Sequence, residues 1–194
     1  VILYDNELDA DAYPVRLLLS LLGLDYERVT IDSRPGALRG HGPRGPALAD
    51  GDDRAVGAAA VLRHLAARYD PAWLPAAPGS GDSCLSSLTS PRFAPRQARL
   101  LALFTTEGPS PGLVEEAAHR LQDLDDHLTL AELDGQLWFA GARPTIVDVA
   151  AFAVAGLSYD YGVEHDAYPA LRRWIRRFRA LGGFIPMPGV PQFY

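Results

Sequence analysis

At 194 residues the chain is long enough for one average domain or two small ones, with a core that needs no disulfide or metal staple. Hydrophobic residues make up 48% and charged residues 22%, which argues against a disordered chain, and no apolar run reaches the length of a membrane-spanning helix. Twenty-four acidic residues against eighteen basic ones leave a net charge of -6 with no basic window to follow a phosphate backbone, so neither nucleic acid nor a membrane is an expected partner.

All eighteen basic residues are arginine. Without lysine there is no Schiff-base chemistry, no pyridoxal enzyme and no phosphate loop ending in Gly-Lys-Ser/Thr. Cys84 is the single cysteine, which excludes an internal disulfide, a Cys-x-x-Cys redox pair and a cysteine-rich zinc site. The start Val1-Ile2-Leu3-Tyr4-Asp5 has no basic leader and no cleavage signal, so a cytoplasmic location is expected.

In chain order, Val1 to Tyr4 reads as a buried strand. Pro14 to Leu22 reads as a leucine-rich helix with Asp11 as its N-cap and Gly23 as its stop. Tyr26 to Ile31 follows as a second strand, and strand, helix and strand at this spacing form a βαβ unit with parallel strands. Asp32 to Gly45, with four glycines and two prolines, reads as a loop. Residues 46–49 and 54–56 flank turn residues and make a weak hairpin, and Ala58 to Tyr69 makes a strong helix. The proline and glycine content of 76–83 marks a linker, which gives a first domain over 1–75 and a second over 84–194.

Beyond the linker every segment reads as helix. Val114, Ala117, Leu121, Leu124 and Leu128 alternate spacings of three and four and form one apolar stripe. His119, Asp123 and His127 lie on the opposite side, where a solvated face is expected rather than a metal site, and no metal ligand set is assigned. Thr145 and Asp148, three apart before the apolar run Val149 to Leu157, form a capping box, which accounts for Asp148 without a catalytic role.

With these residues in view the chain resembles a bacterial glutathione S-transferase. The resemblance rests on Tyr4-Asp5 with the stretch Asp11 to Leu24, on Tyr69-Asp70-Pro71-Ala72-Trp73-Leu74-Pro75, on Arg143 to Ala150, and on the C-terminal run Tyr168 to Gly189. It implies a thioredoxin-like N-terminal domain of order βαβ-ββα followed by an all-helical domain, a homodimer, and a small-molecule site between the domains. In similar proteins a hydroxyl residue after the first strand stabilises the glutathione thiolate. The matching position is Asp9, or Ala10 with a shift of one, and a carboxylate beside a thiolate would raise the thiol pKa. The acid-serine pair that holds the γ-glutamyl end is replaced by Gly57 and Ala58, which leaves only helix-terminal amides. Pro46 aligns with the proline that the family keeps in cis, the loop before it is shorter than the family's, and the amphipathic second helix is missing.

The expected function is therefore that of a glutathione S-transferase-like enzyme on a small, largely apolar organic substrate, by acid/base chemistry of isomerase, dehydratase or cyclase type. No cofactor is required and glutathione is disfavoured. Two alternatives stand beside it: a thiol-dependent transferase with rearranged contacts, and a non-catalytic binding or assembly protein on the same fold. Asp9 is the candidate acid or base, because Asp11 is expected to be occupied as a cap. Tyr13, Pro46, Phe104, Glu107, Tyr159 and Tyr161 are the candidate substrate-binding residues, although Tyr13 falls in the first helical turn and also reads as a packing residue. His165 reads as a surface-loop histidine, and the tail 191–194 as a border of the cleft.

Overall fold

The first residues form the strand β1 (Ile2–Asp5), as their apolar run predicts. The structure is a computed structural model and describes residues 1–31, 45–76 and 80–192. Residues 32–44 of the loop expected over 32–45, with its expected shortness and missing second helix, and Phe193 and Tyr194 expected at the cleft, lie outside the described residues.

β1 is followed by α1 (Tyr13–Leu21), β2 (Glu27–Thr30), β3 (Ala47–Asp50), β4 (Asp53–Val56) and α2 (Ala58–Tyr69). The sheet has the order β2-β1-β3-β4. β2 runs parallel to β1, with Tyr4 beside Val29, while β3 is antiparallel to β1, with Leu3 beside Leu48. This is the βαβ-ββα order of a thioredoxin-like unit. Among the described residues every peptide bond is trans, the one preceding Pro46 included, in contrast to the cis bond that the resemblance implies.

The helical half contains α3 (Ser80–Leu88), α4 (Ala94–Phe104), α5 (Pro111–Leu133), α6 (Ile146–Ala155) and α7 (Pro169–Arg179), with short 3-10 turns at Pro71–Trp73 and Ser158–Tyr161. α3 begins inside the stretch that composition marks as linker. α5 is longer than its leucine stripe predicts, because Ser110 caps its start by accepting from the Leu113 amide.

Every residue of α6 is buried, as befits a helix that is apolar all round, and α1 and α7 pack against it. Phe152 of α6 stacks on Phe178 with ring centroids 4.7 Å apart and meets Trp174 at 6.1 Å. Truncating a ring so placed, as in Phe152→Ala, costs about 3–5 kcal/mol. α1 contributes Val15, Leu17, Leu18 and Leu19 to the same continuous core, so the two halves share one interior. The predicted capping box at Thr145 and Asp148 is formed, and Asp148 does more than cap. Its carboxylate also accepts from the Phe139 amide and from Trp174 Nε1, each at 3.0 Å, and so ties α7 to the start of α6.

A candidate site between the first loop and helix α4

β1 ends in Asp5, a buried carboxylate on one of the two inner strands. It accepts from Arg16 of α1 and from Arg28 of β2, the latter at 2.5 Å. Two arginines on one buried acid pin the strand to the helix that follows and fix the path of the loop 6–12. Arg16 continues the job by donating to the Asn6 carbonyl at 3.0 Å and to the Glu7 carbonyl at 2.9 Å.

Within that loop it is Asp9, and not Asp11, that shapes the approach to α1. Asp9 Oδ1 accepts from the Asp11 amide at 2.8 Å, an Asx-type turn, and the Asp9 carbonyl accepts from the amides of Ala12 and Tyr13. The N-cap of α1 is Ala12, with no side-chain cap, so the capping role expected of Asp11 is not realised. Asp11 is instead ion-paired with Arg96 of α4. The reason is tertiary: a buried guanidinium from the other half of the molecule takes Asp11 as its counter-ion.

Asp9, Asp11, Leu8 and Ala10 form one wall of a cavity of about 110 Å³ whose other wall is α4, with Arg96, Arg99, Leu100 and Phe104. Arg96 and Arg99, three apart, share a helix face with Leu100, and Phe104 follows one turn on. Arg99 is 4% exposed. Its Nε donates to Asp160 Oδ2 at 2.7 Å and its Nη1 to the Leu8 carbonyl at 3.0 Å. One side chain thus joins α4, the first loop and the 3-10 turn Ser158–Tyr161.

Burial pushes the Asp9 carboxyl above the usual carboxylate range, against the pull of Arg96 and Arg16 and with help from Asp5. Burial likewise pushes the Arg96 guanidinium down to about 10, with Arg99 adding to the effect and Asp9 opposing it. The cavity therefore brings together a carboxyl with a raised pKa and two closely spaced arginines.

Of the residues singled out from sequence, the structure brings Asp9 and Phe104 together at this cavity. Tyr13 is fully buried and donates its hydroxyl to the Ile185 carbonyl at 2.8 Å, a packing and tethering role. Pro46 is buried, and its carbonyl accepts from the Gly57 amide at 2.8 Å. Glu107 is exposed in the loop after α4, and Tyr159 and Tyr161 flank Asp160 without lining the cavity. His165 is not a surface residue; it is 1% exposed, with Nε2 2.9 Å from the Ala155 carbonyl and 2.8 Å from Ser158 Oγ. Burial holds its pKa down to about 4.

Arg96 and Arg99 are the site residues that sequence reasoning missed. A signal for them exists: two arginines sit at positions of α4 that the neighbouring Ala94, Pro95 and Ala98 mark as the buried face. His127 is exposed, as expected of a solvated face, and its Nε2 donates to the Phe139 carbonyl at 2.9 Å while the ring stacks on that of Phe139. Among the described residues no group of three or more histidines, cysteines or acids is placed to hold a metal ion. Cys84 is half-buried with its thiol pushed up to about 11, far from a thiolate at neutral pH.

Residues 112–177 match the family model described as glutathione S-transferase, C-terminal domain. A comparison with curated protein sequences finds no match. Among solved structures the chain is similar to a possible glutathione S-transferase of Rhodopseudomonas palustris, with 22% identity, a TM-score of 0.77 and 98% of each chain covered. It is similar also to a glutathione S-transferase of Pseudomonas fluorescens, with 21% identity, a TM-score of 0.77 and coverage of 96% and 98%. A theta class glutathione S-transferase of Xanthomonas axonopodis pv. citri, solved with glutathione bound, matches at 19% identity and a TM-score of 0.72 over 94% and 93% of the two chains. These likenesses establish the fold over nearly the whole length, and the matched helices α5 to α7 carry the sequence pattern. The sequence pattern of the C-terminal domain over residues 112–177 and the fold over nearly the whole length are what the chain shares with the glutathione S-transferase superfamily.

Proposed function

We propose that the chain is an enzyme of this superfamily that acts on a small organic molecule in the cavity between the first loop and α4, with Asp9 as general acid or base and without glutathione. The observation that carries the reading is the Asp9 carboxyl, enclosed in the cavity wall and raised above its ordinary pKa. A carboxyl shifted toward neutrality exchanges protons with a substrate near physiological pH far better than an exposed one. The chemistry fits an isomerase, dehydratase or cyclase.

Glutathione is disfavoured on two counts. Asp9 stands where a thiolate would need a hydrogen-bond donor, and an ionised carboxylate there opposes the thiolate. At the start of α2 the N-cap is Gly57, with no side chain to grip a γ-glutamyl group. Two measurements test the proposal. Titration calorimetry with glutathione should give a dissociation constant weaker than about 100 μM. Carbon NMR of labelled aspartate should show a carboxyl titrating above the ordinary value of about 3.9, absent in Asp9→Asn. A midpoint for Asp9 at or below that value would remove the acid/base role.

The proposal includes a homodimer in the cytoplasm. Exposed Val56 on the edge strand β4 and exposed Tyr69 on α2 support a partner on that side. Light scattering should then return twice 21.0 kDa. No helix among the described residues is long and apolar enough to cross a membrane.

A further inference from the structure

We propose that this cavity receives the carboxylate of its ligand at the Arg99 guanidinium, so that the substrate is an organic acid with an apolar body. The inference deepens the function proposed for the same cavity and rests on it for the place of the chemistry.

The first observation is an unused donor. A guanidinium carries five N–H groups. Arg99 spends Nε on Asp160 and Nη1 on the Leu8 carbonyl, while its Nη2 is buried with no acceptor among the described residues. A buried charged donor left unmade is costly, and native proteins retain one where something else satisfies it. Arg99 is itself a wall of the cavity.

The second observation is the charge balance. Asp5 serves both Arg16 and Arg28, Asp11 serves Arg96, and Asp160 serves Arg99. Four guanidinium groups thus face three committed carboxylates. Glu7 is exposed and its charge acts on Arg28, while Asp9 lines the cavity itself. Each paired carboxylate is committed to an arginine, and the Nη2 of Arg99 is the donor that none of them occupies, so one further monoanion finds a place there. A dianion such as a phosphate monoester would bring a second negative charge beside Asp9 and Asp11 and is opposed.

The third observation is the apolar rim. Leu8, Leu100 and Phe104 line the same cavity and are each about two-fifths exposed, unusual for large apolar side chains that have nothing to cover them. They offer a surface for the hydrocarbon part of an acid whose head lies at Arg99. A planar carboxylate suits a guanidinium by its paired oxygens, and its attraction is strong where water is excluded.

Benzoate and its neutral analogue benzamide, titrated calorimetrically into the full chain, test the inference. Benzoate should bind with a dissociation constant of about 1 mM or tighter and at least about tenfold better than benzamide. Arg99→Lys, which keeps the charge and a bond to Asp160, should weaken benzoate about tenfold and leave benzamide unchanged. Should Arg99→Lys fail to fold, Gln97→Glu adds a negative charge to the cavity wall without touching the bonds of Arg99, and should weaken benzoate by a similar factor. Equal affinity for benzoate and benzamide, no benzoate binding below about 10 mM, or unchanged benzoate binding in the folded variants would overturn the inference. The two proposals fail separately. An ordinary titration of Asp9 with benzoate preference intact removes the acid/base role alone, and a raised Asp9 midpoint without benzoate preference removes the anion site alone.

Discussion

Gly189 packs its bare Cα against the carboxylate of Asp160, the same group that holds Arg99 at the cavity. A Cβ at Gly189 would collide with both carboxylate oxygens, and its φ of +101° is one that side chains rarely adopt. The C-terminal segment thereby supports the cavity from behind. Farther up the same segment, the Gly183 carbonyl accepts from Ser20 Oγ at 2.7 Å and the Ile185 carbonyl accepts from Tyr13.

Gly189→Ala should therefore lower stability by about 1–3 kcal/mol from backbone strain, and by more from the displaced Asp160. Gly51→Ala is the comparison, because Gly51 has a φ of +63° but open space around its Cα. Denaturant unfolding of the pair should show the larger loss at Gly189. Equal losses would mean that the contact with Asp160 is unimportant.

Asp148 and Thr145 differ in what they hold. Thr145→Ala removes a cap hydroxyl and should cost about 1 kcal/mol. Asp148→Ala strands the Phe139 amide and Trp174 Nε1 as well, each a buried donor worth about 1–3 kcal/mol when left without a partner, so its cost should exceed that of the threonine by at least about 2 kcal/mol. Thermal unfolding of both variants checks the order.

Asp9→Asn and Asp11→Asn separate chemistry from framework. Asparagine at position 9 keeps an oxygen for the Asp11 amide and loses the titrating proton, so turnover should fall by roughly 100-fold with little change in melting temperature. Asparagine at position 11 leaves Arg96 without its counter-ion, so melting temperature should fall instead. A stable, active Asp9→Asn enzyme would show that the carboxyl is not the acid or base.

His165 sets a pH dependence of stability. A carbonyl only accepts, so Nε2 carries its hydrogen toward Ala155, and burial holds the folded pKa down to about 4 against about 6.5 in the unfolded chain. The unfolded chain therefore binds more protons between these values. The stabilising contribution of neutral His165 is complete above about pH 6.5 and is lost as pH falls toward 4, by about 3 kcal/mol at its limit. Stability measured from pH 7 to pH 4 should fall less steeply in His165→Gln than in the wild type, and parallel profiles would remove the assignment.

The elements that local chemistry dictates are legible in the residues alone. Spacings of three and four mark the stripe of α5, the β-forming Tyr26, Val29 and Ile31 mark β2, and Thr145 followed by Asp148 marks the start of α6, because each pattern acts within a few residues of chain. The absence of lysine and the single cysteine exclude whole reaction classes on composition alone.

The partners of those side chains depend on residues far along the chain, and a periodic pattern identifies a face without naming what covers it. Nothing near Asp11 announces Arg96, and nothing near Arg99 announces Asp160, 61 residues later. His165 lies in a polar stretch that reads as surface, yet Ser158 and Ala155 enclose it because the 3-10 turn folds back on the end of α6. Element order and the reagents available for chemistry thus follow from the residues in chain order. Which charges meet follows from the tertiary packing alone, because the energy of a buried charge depends on the groups that surround it in space.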